Sequence, residues 1–205
     1  MPADVNAHEI SLAIWDLASP LVVNRRSKIK VGGNCSGGCQ LADQEIEIRN
    51  EMEATVARGK LGPAAWPGTS ALYWTELDFA APATEGTHSW RVTLTGSKLE
   101  LPHAGASSQF SFITVPPPDH SVTVKVIEKS TENPIDDVQV RLGVYRGCTD
   151  ESGSAKVDLR KGTYDLVVWK LGYEPLTKPI EVIADVTVQV EIEAATEPEQ
   201  EYWRG

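Results

Sequence analysis

The sequence has little cysteine, little positive charge, no long apolar run and no sustained helical periodicity. Its 205 residues include three cysteines, and 19 Lys and Arg face 29 Asp and Glu, which gives a net charge of −10. Three cysteines cannot build a disulfide framework, and nucleic-acid binding normally needs a basic surface. No run approaches the roughly 18 apolar residues of a membrane span. These absences leave an all-β chain that binds no nucleic acid and has no membrane span.

What the sequence does contain is alternation between apolar and polar residues, interrupted by 13 Pro and 16 Gly. Alternation predicts half-buried strands, and the Pro and Gly predict the turns between them. We expect the third strand to stop at Gly32 and Gly33. In the first part of the chain the pattern predicts strands over 10–15, 21–23, 27–31, 45–49, 55–60, 72–79, 87–95 and 109–115.

Three consecutive prolines, residues 116–118, mark the best boundary in the chain, because proline removes ladder donors and favours a stiff extended spacer. After it the alternation resumes over 121–128, 138–142, 155–159, 163–169, 182–183 and 186–192. We therefore predict two tandem β-sandwich domains. The predicted organisation is a first sandwich at 1–115, a Pro-rich linker at 116–119, a second sandwich at 120–193 and an acidic tail at 194–205.

Three glycine-bearing motifs follow one another in the second half. Residues 149–155 read T-D-E-S-G-S-A, residues 159–166 read L-R-K-G-T-Y-D-L, and residues 170–174 read K-L-G-Y-E. Together they resemble carboxypeptidase regulatory-like domains, which belong with the transthyretin-like and Cna-B-like prealbumin sandwiches. The resemblance covers residues 119–193 and implies a stabilising or contact role without an activity. Within it we expect Tyr164 to bury its ring while its hydroxyl meets the backbone at the sandwich end.

The first half carries a shorter motif. Residues 81–92, A-P-A-T-E-G-T-H-S-W-R-V, are similar to the penultimate-strand region of immunoglobulin-like domains, including bacterial ones. The Cys–Trp–Cys framework of antibody domains is missing. The resemblance therefore implies an immunoglobulin-like sandwich of the kind that has no central disulfide.

Cys35 and Cys39 form the one short-spaced pair of thiols, with Gly37 and Gly38 between them. This pliable loop is suited to a local disulfide. Zinc takes about four ligands, usually from two short-spaced pairs, and the sequence has no second pair. We expect unpaired structural thiols first, a Cys35–Cys39 disulfide second, and metal or redox chemistry last. No metal and no cofactor are predicted.

No nucleophile–base motif, zinc-protease motif or phosphate-binding glycine loop is present. The four histidines are His8, His88, His103 and His120, of which only His88 falls within a predicted strand. Pairing of Cys39 with a histidine for nucleophilic catalysis needs only closeness in space, so a small thiol-dependent enzyme using Cys35 or Cys39 stays an alternative. No catalytic residue is predicted.

Aromatic residues supply the remaining candidates for binding. Trp66 lies in a Pro-Gly loop, and Tyr73 and Trp74 are neighbours in a strand, so one of them faces the core and the other faces out. Tyr202 and Trp203 are the aromatic residues of the acidic tail. For Trp66, Tyr73 and Trp74 we expect packing in the core or at its rim first, and an outward side chain that anchors a protein partner or stacks on a sugar second.

These features favour a non-catalytic accessory or structural subunit that binds a protein partner within a larger assembly. The alternative from another class is a carbohydrate-binding module, of a cell-surface or exported system, that uses Trp66 with Tyr73 or Trp74. The first residues show no basic region followed by an apolar one, so a cytoplasmic location is the default expectation, with an exported location as the alternative.

Overall fold

The structure is a computed structural model, and it describes residues 8–94, 99, 103 and 105–195. These residues form fifteen strands and no helix, which confirms the all-β prediction. No described segment is a helix long and apolar enough to cross a membrane. Internal contacts divide the chain into two compact units, Met1–Pro116 and Pro117–Gly205.

The first unit is a sandwich of two sheets. One sheet has the strand order β1-β3-β6, and the other has the order β2-β8-β7-β4-β5. All pairings are antiparallel except that of β2 with β8. The strands are β1 (Ile10–Trp15), β2 (Leu21–Val22), β3 (Arg26–Cys35), β4 (Glu45–Arg49), β5 (Thr55–Lys60), β6 (Tyr73–Ala80), β7 (Gly86–Leu94) and β8 (Ala106–Val115).

The alternating pattern explains which side chains fill this sandwich. Ile46 and Ile48 of β4 are fully buried, while the charged residues that alternate with them, Glu45, Glu47 and Arg49, face outward. In β7, Trp90, Val92 and Leu94 are buried together on one face. Because side chains alternate between the two faces of a strand, each sheet contributes one apolar face to a common core.

The prediction that β3 stops at Gly32 is wrong, because the strand continues to Cys35. A Cβ atom on Gly32 would lie 2.9 Å from Leu72 Cδ1 and 3.1 Å from the ring of Trp15. The two glycines are therefore strand residues over which neighbouring side chains pack closely. Their continuation as a strand carries Cys35 to the end of the sheet.

The second unit is also a sandwich, with sheets of order β11-β10-β13-β14 and β12-β9-β15. Its last strand, β15, pairs in parallel with its first, β9, over seven register pairs. Val122, Val124 and Val126 of β9 are fully buried. The strands are β9 (His120–Glu128), β10 (Gln139–Leu142), β11 (Tyr145–Cys148), β12 (Ser154–Leu159), β13 (Gly162–Trp169), β14 (Leu176–Val182) and β15 (Val186–Ile192).

The motifs of the second half form turns and polar anchors. Asp150 Oδ1 accepts hydrogen bonds from the backbone N–H groups of Ser152 (2.9 Å) and Ser154 (3.1 Å). Gly153, with φ of +70°, completes this turn in a conformation that favours glycine. The Tyr164 hydroxyl donates to the carbonyl of Arg160 at 3.0 Å, as expected from the sequence. These residues therefore serve the fold.

Candidate functional site

The candidate site begins with a tight turn at the end of β3. The N–H of Gly38 donates to the carbonyl of Cys35 at 2.9 Å, and Gly38 has φ of +69°. This left-handed conformation reverses the chain. Cys39 follows directly, so the turn brings its thiol back toward that of Cys35.

A second segment lies beside this turn. The N–H of Ser36 donates to the carbonyl of Glu9 at 2.9 Å, and the N–H of Glu9 donates to Ser36 Oγ at 3.1 Å. His8 forms a parallel bridge with His103, which lies between β7 and β8. Main-chain contacts thus bring together two histidines that are distant in sequence, next to the Cys35 turn.

The four side chains form one compact cluster, called here the Cys₂His₂ cluster: His8, Cys35, Cys39 and His103. One donor atom from each lies within 4.8 Å of all the others. His8 Nδ1 lies 3.1 Å from Cys39 Sγ, and Cys35 Sγ lies 3.3 Å from His103 Nε2. The two imidazole rings meet edge to face, with their centroids 5.4 Å apart.

The two thiols differ in burial and in acidity. Cys35 is only 3% exposed, whereas Cys39 is half-buried. Burial raises the pKa of the Cys35 thiol, but the N–H groups of Cys39 and Gly37, with the His103 ring, outweigh burial and lower that pKa to about 6. The pKa of the Cys39 thiol is raised, first by its hydrogen bond to Cys35 and then by burial. The thiolate therefore forms preferentially on the less accessible sulfur.

The sequence located the two thiols but not their partners. Both thiols are free in the structure, with no disulfide between them. His8 is 31 residues from Cys39, and His103 is 68 residues from Cys35. Sequence spacing does not show these histidines as ligands, because backbone pairing in the fold brings them to the thiols.

The structure places Tyr73 and Trp74 on opposite faces of β6. Tyr73 packs against the core, while Trp74 lies with Trp66 and with Trp15, which the sequence did not single out. Trp66 meets the other two rings edge to face, at centroid distances of 5.1 Å to Trp15 and 4.8 Å to Trp74. Lys30 Nζ lies over the rings of Trp66 and Trp74. Since these rings already contact one another and a cation, the arrangement does not favour stacking on a sugar.

Tyr202 and Trp203 lie outside the described residues. Of the described residues of the second unit, Leu171 is the most exposed large apolar residue, at 86%, and the neighbouring Trp169 is 51% exposed. Leu171 belongs to the third glycine-bearing motif, and Trp169 ends the strand before it, β13. Their exposure does not follow from the sequence, because alternation alone does not show where a turn directs its side chains.

The comparisons with known proteins found no matching family model and no matching curated protein. Among solved structures, the chain is similar to the Bacillus anthracis TIE protein, at 9% identity and a TM-score of 0.31, covering 90% of this chain and 40% of that one. It is similar to the CARDB domain of a Pyrococcus furiosus protein, at 15% identity and a TM-score of 0.38, over 53% of this chain and 96% of that one.

A third likeness is to BcpA, the major pilin subunit of Bacillus cereus, at 12% identity and a TM-score of 0.32, over 92% of this chain and 71% of that one. The chain thus spans less than half the length of the TIE protein. Identities and TM-scores this low do not show that this chain assembles as those proteins do. Nothing in these comparisons supports the default expectation of a cytoplasmic location.

Proposed function

We propose that this chain is a non-catalytic structural or accessory module that contacts a protein partner within a larger assembly. The observation that carries the proposal is Leu171, an apolar side chain that is 86% exposed at the tip of a firmly held turn. Exposed apolar surface adds no stability to the fold, and Trp169, two residues earlier and 51% exposed, distinguishes this segment from a singly exposed residue such as Met52. The contact surface proposed here is the 169–171 turn, defined by Trp169 and Leu171.

The turn is held from three sides. The N–H of Tyr173 donates to the carbonyl of Lys170 at 3.2 Å, and Gly172 has φ of +86°. Lys170 Nζ donates to the Asp136 carbonyl at 2.6 Å and to its carboxylate at 3.0 Å. The N–H of Ala195 donates to the carbonyl of Gly172 at 2.9 Å. A rigid turn loses little conformational freedom on binding, which favours its use as an anchor.

The non-catalytic part of the proposal is supported by the thiols. The sulfur with the lowered pKa, Cys35, is 3% exposed, so a substrate has no approach to it. The more accessible sulfur, Cys39, has a raised pKa and is the poorer nucleophile at neutral pH. A thiol-dependent enzyme needs the opposite arrangement.

The second sandwich also fits the resemblance to carboxypeptidase regulatory-like domains, which accompany other proteins as contact modules. Its Tyr164 and Gly172 form the hydrogen bond and the turn that this motif implies. We include this assignment, and an immunoglobulin-like assignment of the first sandwich, in the proposal.

Site-specific photo-cross-linking tests the proposed contact. A photoreactive phenylalanine analogue at position 171 of the full chain, expressed in the native host, is expected to yield one discrete cross-linked protein. Trp169→Ser in the same chain should reduce that yield several-fold. The matched control is the same analogue at Met52, which is 82% exposed on a turn of the first sandwich. No discrete product from position 171, or the same product from position 52, would overturn the proposal.

A further inference from the structure

We propose that the Cys₂His₂ cluster binds one zinc ion in a closed tetrahedral site, with His8, Cys35, Cys39 and His103 as its four ligands. The site lies in the first unit, whereas the proposed contact turn lies in the second. The two proposals are therefore independent, and the failure of one leaves the other standing.

The distances within the cluster match the geometry that zinc imposes. Tetrahedral zinc with Zn–S bonds of about 2.3 Å and Zn–N bonds of about 2.0–2.1 Å separates its ligand atoms by about 3.3–3.8 Å. Two sulfur–nitrogen pairs in the cluster are 3.1 and 3.3 Å apart, and all four donor atoms lie within 4.8 Å of one another. Adjustments of up to about 1 Å between the ligand atoms therefore complete the coordination shell.

The donor types select the metal. Two thiolates and two imidazoles are the ligands of structural zinc sites, whereas calcium and magnesium require oxygen. Cys35 and Cys39 have three residues between them, within the spacing of two to four that zinc sites use for a cysteine pair. With four protein ligands, no position remains for a water or a substrate, so the ion is structural and not catalytic.

The backbone prepares the site before any ion arrives. The turn closed by Gly38 sets the two thiols side by side, and the pairing of Ser36 with Glu9 fixes the segment that carries His8. N–H groups of Gly37 and Cys39 donate to the sulfur of Cys35. Such outer-shell donors orient a ligand and support its negative charge.

The ligands come from both sheets of the first sandwich. Cys35 ends β3 of the three-stranded sheet, and His103 lies between β7 and β8 of the five-stranded sheet. An ion bound to both therefore cross-links the two sheets at one end of the sandwich. This is the role that a central disulfide has in other sandwiches, and it is achieved here without oxidation of the thiols.

Metal analysis of the full chain, purified under reducing conditions, tests this proposal. We expect one zinc per chain, and replacement by cobalt should give the intense visible bands of a tetrahedral thiolate site. Cys39→Ser and His103→Ala should each lower zinc affinity by more than the about 10–100-fold that follows loss of an outer-shell partner. A competing chromophoric chelator measures this change.

The controls use the same residue types outside the cluster. Cys148→Ser and His120→Gln remove one thiol and one imidazole in the second unit and should leave one zinc per chain. His8→Ala, at the edge of the sandwich, should lose zinc while its β-sheet circular dichroism stays unchanged. A reduced, folded chain that binds no zinc, or zinc binding that survives loss of Cys35 and Cys39, would overturn the proposal. Detection of a Cys35–Cys39 disulfide in the freshly purified, zinc-free chain would do so as well.

Discussion

The imidazole of His8 lies against the backbone of Gly37, so close that a Cβ atom on residue 37 would come within 2.3 Å of the ring. Real atoms do not approach so closely, and the ring must swing away when residue 37 carries a side chain. Gly37→Ala is therefore expected to weaken zinc binding more than about 10-fold, as displacement of an orienting partner does. Chelator competition measures the loss.

Gly105→Ala is the matched control for this change. A Cβ there would meet its nearest neighbour, the Leu94 carbonyl, at 3.5 Å, which is ordinary contact. Zinc affinity should be unchanged in this variant. Equal zinc affinity in Gly37→Ala and the unchanged protein would contradict the geometry described for His8.

Removal of the metal should destabilise the first sandwich alone. Zinc at about 1,000 times its dissociation constant stabilises the protein by about 4 kcal/mol, because it binds the folded state. Excess chelator should therefore accelerate amide hydrogen exchange in β3 and β7. Exchange in β9 and β13, in the other unit, is the internal control. Equal acceleration in both units would show a general effect of the chelator.

Strands with a regular alternation of apolar and polar residues could be predicted from the sequence. Strands in which proline, glycine or short length interrupts that alternation could not. β4 and β9 alternate regularly, and their extents follow from the pattern alone. Most of β14 was missed because Pro179 and its polar neighbours interrupt the pattern, which a strand at the edge of a sheet tolerates. β11 was missed because it is four residues long and contains Gly147.

The Cys₂His₂ cluster shows the same limit for the site. The turn between Cys35 and Cys39 is local, and its two glycines predict it from the sequence. His8 and His103 join it only through the hydrogen bond between Ser36 and Glu9 and through the bridge between the two histidines. No spacing rule finds a ligand pair that is assembled in this way, so only the fold reveals it.

Glu51 binds the middle of β7 and should make the first sandwich sensitive to acid. Its carboxylate accepts from the N–H of Ser89 at 2.8 Å and from Nε1 of the buried Trp90 at 3.0 Å. Burial opposes ionisation, but these donors and the nearby His88 together lower the pKa of Glu51. The stabilisation is therefore present above the unfolded-state pKa and is lost as pH falls through the folded-state pKa.

Glu51→Gln should reduce this loss at acid pH and destabilise the protein at neutral pH by about 1 kcal/mol, the net value of a hydrogen bond. Urea unfolding at several pH values, followed by tryptophan fluorescence, gives both quantities. Glu53→Gln, which removes only a surface ion pair with Arg91, is the control and should change little. An identical pH profile for Glu51→Gln and the unchanged protein would refute this prediction.

Tyr164 should make the second sandwich sensitive to alkali. Burial is the main cause of its raised pKa, with Tyr145 adding to it. A raised pKa means that stability is complete below the unfolded-state value and declines as pH rises through the folded-state value. Tyr164→Phe should remove one late ionisation from an ultraviolet titration. Loss of the bond to Arg160 should cost about 1 kcal/mol.

Thr149 is a buried polar residue of the second sandwich, and its hydroxyl pairs two backbone groups. Its hydroxyl donates to the Ile135 carbonyl at 2.8 Å and accepts from the N–H of Val138 at 2.9 Å. Thr149→Val leaves both backbone groups buried and unpaired, at a cost of about 2–6 kcal/mol from about 1–3 kcal/mol for each group. Thr149→Ser keeps the hydroxyl and should lose far less. Hydrogen exchange of β9 measures the difference, and equal losses would exclude the hydroxyl as the cause.

The parallel pairing of β9 with β15 determines how the second sandwich responds to pulling. Its first and last strands run side by side in the same direction, so the chain enters at one end and leaves at the other. A force along the chain therefore loads the seven register pairs in shear, and their hydrogen bonds must yield together. Between antiparallel terminal strands, in contrast, the same force breaks the hydrogen bonds of one residue pair at a time. We therefore expect the second sandwich to resist a pull along the chain better than a sandwich whose terminal strands are antiparallel.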